Sequence, residues 1–169
     1  MEPERPEITV GTEDDLPGIV AILNHMAAHS TASFDTRPVS VDSQREWFGE
    51  FAGSGPHQLM VARRGPQVLG YACTHPYRDH EAFRETVEVS IALSPGSQGQ
   101  GIGTLLYRGL FGRLAGEPVH VMLAGIALPN DASVALHRKF GFTEVGTFRE
   151  YAVKNGRYLS SVWMQRLVS

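Results

Sequence analysis

The stretch Gln98-Gly99-Gln100-Gly101-Ile102-Gly103 decides how this chain is read. Upstream, Val87, Val89, Ile91 and Leu93 alternate with Thr86, Glu88, Ser90 and Ala92, the two-residue period of a strand, and Ser94-Pro95-Gly96 ends it. Downstream, Ile102, Leu105, Leu106, Gly109, Leu110 and Leu114 recur at helical spacing, so a helix begins close to Gly101. The first amides of that helix have no partner within it. Together with the positive end of the helix dipole they attract anions, and glycines let a pyrophosphate approach the backbone closely. The stretch therefore predicts a phosphate cradle.

Spacing separates the sequence families that build such cradles. A P-loop needs Gly-Lys-Ser/Thr, whereas Thr104 follows Gly103 with no lysine. A dinucleotide fingerprint wants its third glycine at Thr104 and an acid about 20 residues on, a distance that Glu117 and Asp131 bracket poorly. What remains is the pattern Gln98-x-x-Gly101-x-Gly103.

With 169 residues, 42% apolar and 20% charged, the chain reads as one soluble domain, residues 1–169, long enough to hold a substantial core. The net charge of -3, with no cationic run longer than Arg63-Arg64, argues against a sequence-independent grip on nucleic acid and for a small-molecule partner. A lone cysteine, Cys73, cannot form an intrachain disulfide, and it reads as buried filler. The start Met-Glu-Pro-Glu-Arg-Pro-Glu is unlike a signal peptide, and no apolar run is long enough to span a membrane, so a cytoplasmic protein without membrane contact is expected.

In chain order, Ile8 and Val10 predict a short strand. Thr12-Glu13-Asp14-Asp15 then caps a helix carrying Leu16, Ile19, Val20 and Leu23. His25 and His29 share a face of that helix, but no third ligand completes a metal site and none is expected. Ser30 to Pro38 is polar and irregular apart from Phe34. A second helix from near Asp42 turns Trp47, Phe48 and Phe51 toward a core. His57–Ala62 and Gln67–Ala72 read as a hairpin around Arg63-Arg64-Gly65-Pro66, followed by a loop rich in aromatics and cations, Tyr77, Arg78, His80, Phe83 and Arg84. Val119–Ala127 is a strand covered on both sides. From Pro129-Asn130 a further helix sets Asn130, Ser133 and His137 on one polar stripe, leaving Ala132, Ala135, Leu136 and Phe140 to pack. Two last strands, Phe142–Val153 and Arg157–Val168, flank the hairpin signal Asn155-Gly156. The order strand, two helices, three strands, helix, strand, helix, two strands predicts an α+β fold with a mixed sheet.

Two stretches resemble the acetyl-CoA signatures of the GNAT N-acetyltransferase superfamily. Gln98, Gly101 and Gly103 match its pyrophosphate motif, and Asn130 to Phe142 is similar to Asn-x-x-Ser/Ala-x-x-Leu-Tyr/His-x-x-x-Gly-Phe. Thr86-Val87-Glu88-Val89-Ser90, Ser30-Thr31-Ala32-Ser33-Phe34 and the terminal Gln165-Arg166 resemble the phosphinothricin (bialaphos-resistance) branch, and the likeness runs from Ile8 to Arg166. The resemblance implies a GNAT-type acyl-CoA N-acyltransferase fold, a central, mostly antiparallel mixed sheet flanked by helices. It also implies acetyl transfer from acetyl-CoA, with no metal, to the amine of an amino acid or an analogue such as phosphinothricin or methionine sulfoximine, by a homodimer whose substrate site lies near the interface. The branch usually has arginine where His80 stands, tyrosine at Phe83, an aromatic at Glu85, and often His-Asp at Leu159-Ser160.

Residue roles follow from chemistry and resemblance together. An amine attacks a thioester only when neutral, so a base must take a proton, and Glu88, on the strand leading into the glycine turn, is the candidate. His137 stands where many relatives place a tyrosine, as an acid for the departing thiolate or as a helix histidine satisfied by a backbone carbonyl. Val89, Ser90, Ile91, Gln98, Gly99, Gln100, Gly101, Ile102, Gly103, Thr104, Asn130 and Ser133 are expected to hold the cofactor, with Asn130 on the pantetheine arm. Phe34, Tyr77, Arg78, His80, Phe83 and Thr86 are expected to meet the acceptor, Arg78 holding its anionic group. Two other readings keep the fold: an enzyme for a polyamine, aminoglycoside or protein N-terminus, and a CoA-binding sensor without catalysis.

Overall fold

The computed structural model describes residues 1–168. Its elements are β1 (Glu7–Val10), α1 (Leu16–His29), α2 (Val41–Phe48), β2 (Leu59–Arg64), β3 (Gln67–Pro76), β4 (Thr86–Leu93), α3 (Ile102–Leu114), β5 (Val121–Ala127), α4 (Asp131–Lys139), β6 (Thr143–Lys154) and β7 (Arg157–Leu167). The seven strands form one sheet in the order β1-β2-β3-β4-β5-β7-β6. Every neighbouring pair is antiparallel except β4 and β5. The expected order of elements and the mixed, mostly antiparallel sheet are both present.

Strand alternation divides the core in two. Met60 and Ala62 of β2, Ala72 of β3 and Val87 and Val89 of β4 pack with Leu106, Tyr107 and Leu110 of α3. The intervening residues Leu59, Val61, Tyr71, Cys73 and Ala92 pack with Ile19 and Ile22 of α1, and Trp47, Phe48 and Phe51 border that cluster. The sheet is thus covered on both faces, as period-two patterning with apolar residues on each side requires. Phe51 does its packing from beyond the end of α2 at Phe48.

Local rules account for the joints. Thr12 and Asp15 form a reciprocal cap before α1, and Asp15, 4% exposed, also receives Arg63 Nε at 2.6 Å, fixing the start of α1 to β2. Lys154 and Arg157 pair across the turn, and Asn155 and Gly156 both take positive φ, the conformation of a tight two-residue hairpin turn. In α4 the expected packing is partly inverted: His137 is buried at 2% exposure, whereas Ala132 and Ala135 face solvent. The histidine wins that place because Tyr107 and the backbone of its own helix satisfy both ring nitrogens.

Candidate active site

The site is organised by a parting of the sheet. β4 and β5 pair only from Thr86–Val121 to Glu88–Leu123 and then diverge, and the gap between Val89–Ala92 and Ala124–Ala127 is a cavity of about 240 Å³. β4 then runs into the glycine turn, and α3 starts from it. Gly101 is the residue before that helix and sits at φ 77°, a left-handed conformation that disfavours any residue with a Cβ.

Gln98, Gly99, Gly101, Gly103 and Thr104 line a cleft of about 470 Å³ together with Ile91, Asn130 and Ser133, so the two acetyl-CoA signatures meet on one surface. Glycines at the start of a thirteen-residue helix suit a pyrophosphate, and the apolar lining from Ile91, Leu93 and Leu136 suits an extended aliphatic arm. The donor set therefore fits acetyl-CoA. Two expected contacts point elsewhere. Gln100 folds back, its Nε2 donating to Gly96 O at 2.8 Å, and Ile102, 1% exposed, is core beneath α3. Lys139, which sequence reasoning passed over, donates to Thr104 Oγ1 at 3.1 Å and brings an ammonium beside the turn. Asn130 Oδ1 accepts from Ser133 N–H at 3.2 Å and so caps α4.

On the other side of the gap stands Glu88. Cross-strand pairing sets His75 opposite Glu88 and Cys73 opposite Ser90, and all four share the face toward α1 and α2 with Tyr71 and Ala92. Glu88 lines a cavity of about 380 Å³ with Phe34, Asp35, Ser90, Tyr151 and Trp163. Burial pushes its carboxyl above the ordinary glutamate range, and His75 pulls part of that shift back. His75 Nε2 lies 3.1 Å from Ser90 Oγ. A larger cavity, about 560 Å³, opens between α1, α2 and β3, and His75 and Cys73 are on its wall. Asp35 and Ser90 line this cavity, the Glu88 cavity and the gap between β4 and β5 alike, so the three spaces meet there.

His137 is committed to the fold. Its Nδ1 is 2.7 Å from Ser133 O, a carbonyl that can only accept, so Nδ1 carries the proton and Nε2 accepts from Tyr107 O–H at 2.7 Å. Burial lowers its pKa, with the Ser133 bond opposing that shift, and the ring is held neutral. A neutral imidazole whose one N–H is engaged has no proton to offer a thiolate. Of the two readings of this residue, the geometry matches the helix histidine satisfied by a carbonyl.

The cationic loop is not brought to these cavities either. Tyr77 and Phe83 stack edge to face at 5.5 Å, Arg78 lies over Tyr77 at 5.2 Å, and His80 Nδ1 accepts from Ala82 N–H at 3.0 Å. These residues and Thr86 line none of the four cavities described in this chain, although Thr86 stands only two residues before Glu88. Phe34 does line two of them, and it stacks edge to face on Tyr151 at 5.8 Å. In place of the loop cations the structure brings Asp35, Arg37 and His75. Their only sequence signal was charge within Ser30–Pro38 and at a strand end.

The 31–39 loop that carries Asp35 and Arg37 is pinned at both ends. Asn24 donates to Val39 O at 3.0 Å and accepts from Val39 N–H at 2.7 Å. Lys154, 5% exposed, crosses from β6 and donates to Met26 O at 3.2 Å, Ser30 O at 2.5 Å and Ser33 O at 2.8 Å. Its ammonium caps the carbonyl end of α1 and the first turn of the loop at once.

A mixed sheet whose one parallel pair parts beside a glycine-started helix is the frame of an acyl-CoA N-acyltransferase. The family model described as Acetyltransferase (GNAT) family matches residues 21–142, and the chain belongs to that family. Among its relatives, a phosphinothricin N-acetyltransferase of Streptomyces coelicolor is 41% identical over 95% of both chains. An L-methionine sulfoximine/L-methionine sulfone acetyltransferase of Pseudomonas aeruginosa is 37% identical over 89% of this chain and 88% of its own. The crystal structure of a GNAT superfamily phosphinothricin acetyltransferase from Sinorhizobium meliloti in complex with acetyl-CoA superposes with a TM-score of 0.90 at 30% identity, covering 98% of this chain and 90% of that one.

Proposed function

We propose that this protein moves an acetyl group from acetyl-CoA to the free amine of an amino acid or a close analogue, of the phosphinothricin or methionine sulfoximine kind, by direct attack with Glu88 as the base. Acetyl-CoA-dependent N-acetyl transfer is the activity of its family. What supports Glu88 is one observation: a half-buried carboxylate with a raised pKa lines a cavity that joins, at Asp35 and Ser90, the gap continuing the donor cleft.

Acetyl-CoA supplies an activated acetyl thioester. The amides of the 98–103 turn would hold its pyrophosphate, and Ile91, Asn130 and Ser133 would flank its arm. Glu88 takes a proton from the acceptor ammonium, and its raised pKa brings the carboxylate closer to that of the amine it must deprotonate. The freed amine attacks the acetyl carbonyl, the C–N bond forms as the C–S bond breaks, and the second proton lost by nitrogen neutralises the thiolate. Cys73 takes no part. Its thiol is 1% exposed and burial pushes it up to about 12, so no thiolate exists at neutral pH to form an acetyl-enzyme.

His137 serves as a positioning residue that holds α4 against Tyr107. The enzyme works as a cytoplasmic homodimer. The dimer is supported by Val145, Phe148, Tyr151, Val153 and Tyr158, large apolar side chains exposed along β6 and β7, of which Tyr151 also lines the Glu88 cavity. Thiol release on mixing enzyme, acetyl-CoA and a panel of amino acids, their decarboxylated amines and polyamines tests the activity. Absence of release with every amine would overturn it, and sedimentation as a monomer at micromolar concentration would overturn the dimer.

A further inference from the structure

We infer that Asp35 and Arg37 read the acceptor as a zwitterion, in the cavity between α1, α2 and β3. This rests on the amino-acid acetyltransferase reading above. Arg78, the anchor expected from the sequence, lines none of the cavities of its own chain.

The cavity is large enough for an amino acid with a short side chain, and its chemistry is divided. Tyr71 and Cys73 form a buried floor, with Trp47 edge to face on Tyr71 at 5.9 Å and Leu23 beside it, an apolar bed for a side chain. Asp35, Arg37 and His75 are also on its wall. Arg37 is exposed and, like several other arginines of the chain, has no ion pair among the described residues; what sets it apart from them is its place on the cavity wall. A guanidinium without a protein partner on a cavity wall is free to take a carboxylate bidentately.

Asp35 is placed differently. Its carboxylate accepts from Ser33 O–H at 3.2 Å while its N–H donates to Ser33 Oγ at 3.1 Å, a local turn that fixes the side chain. It stands where the three spaces meet, nearest the route to the acetyl group. An ammonium drawn to Asp35 is thereby delivered to the cavity of Glu88, with the carboxylate trailing toward Arg37. Two residues of one loop thus set both ends of the acceptor. Because Asn24 and Lys154 hold that loop, the backbone positions of the two residues are set before the acceptor arrives, while the Arg37 side chain stays free to close on it.

The experiment compares wild type, Arg37→Ala, Arg37→Lys, Asp35→Asn and Arg78→Ala on methionine sulfoximine and on its decarboxylated amine, with acetyl-CoA affinity measured by calorimetry on each variant. Arg37→Ala should raise KM for methionine sulfoximine roughly 10- to 100-fold, the size of a lost charge-assisted hydrogen bond, and leave the decarboxylated amine within about twofold. Arg37→Lys should recover part of the loss. Asp35→Asn should raise KM for both acceptors, since both carry the ammonium, and Arg78→Ala should change neither. Acetyl-CoA affinity should stay constant throughout. The assignment is overturned if Arg37→Ala affects both acceptors alike or neither, or if Arg78→Ala produces the carboxylate-selective loss. Wild-type protein that acetylates no amine defeats the functional reading instead, and wild type that prefers the decarboxylated amine defeats both.

Discussion

The proposed donor cleft and the proposed acceptor cavity both open onto the gap between β4 and β5, yet they are made of different material. The donor side is largely backbone: amides of the 98–103 turn, a glycine at φ 77° and the start of α3. The acceptor side is side chains from five separate stretches, α1, the 31–39 loop, α2, β3 and β4, with the loop held by a lysine from β6. A backbone site tolerates changes of side chain and fails when the chain path is altered. A side-chain site responds to single substitutions, and its specificity can change without cost to the frame.

The largest expected effect lies between the two. Glu88→Gln keeps the shape of the gap and removes the base, so kcat should fall by roughly 10²-fold or more while acetyl-CoA affinity is unchanged. Loss of both in proportion, seen by steady-state kinetics with calorimetry, would mean that Glu88 belongs to the frame. Next comes Gly101→Glu on the donor side. It forces a side chain into the left-handed region and puts a negative charge beside the phosphates, so acetyl-CoA should bind roughly 10- to 100-fold more weakly. A calorimetric titration indistinguishable from wild type would remove the turn from the donor site.

Lys154→Met is smaller and tests the opposite side. The three carbonyls at the end of α1 lose their donor, the loop loosens, and acceptor KM should rise roughly three- to tenfold with acetyl-CoA affinity intact. Equal loss of both affinities would show that the two sides share one support. The smallest effect is in pH. Glu88 must be ionised to accept a proton, so kcat/KM should fall as pH drops through a value above the ordinary glutamate range. His75 lowers that value. His75→Gln should therefore move the acid limb to higher pH, and a shift to lower pH would reverse the proposed sign.

The same contrast explains what could be read from the residues alone. Local rules carry the fold: the alternation of β4, the glycine turn, the stripe of α3 and the Asn155-Gly156 turn are patterns of neighbours, and each appears where expected. They carry the donor cleft too, because its parts are short motifs with fixed geometry. The acceptor cavity depends on registers that no local pattern encodes. His75 faces Glu88 only because β3 and β4 pair as they do, and Arg37 enters the cavity only because Asn24 pins Val39. Tyr77, Arg78 and His80 have suitable chemistry close in sequence to Glu88, yet within one chain they line none of these cavities. His137 had the chemistry of a proton donor, and burial against Tyr107 and Ser133 O removed it.

The single parallel pair of the sheet also bears on how the molecule assembles. Antiparallel neighbours can close through short turns, as β2–β3 and β6–β7 do here, whereas β4 and β5 meet only after the chain has crossed over through α3. That is a non-local contact, and it closes only over Thr86–Glu88, so little ladder repays the entropy of bringing the two strands together. The joint that opens the active site is thus the weakest seam of the sheet. A donor bound across it acts as a clamp, and by mass action the folded state gains equilibrium stability with the logarithm of acetyl-CoA concentration once that exceeds Kd, so the coenzyme on which the chemistry depends also shifts the balance between folded and unfolded chain.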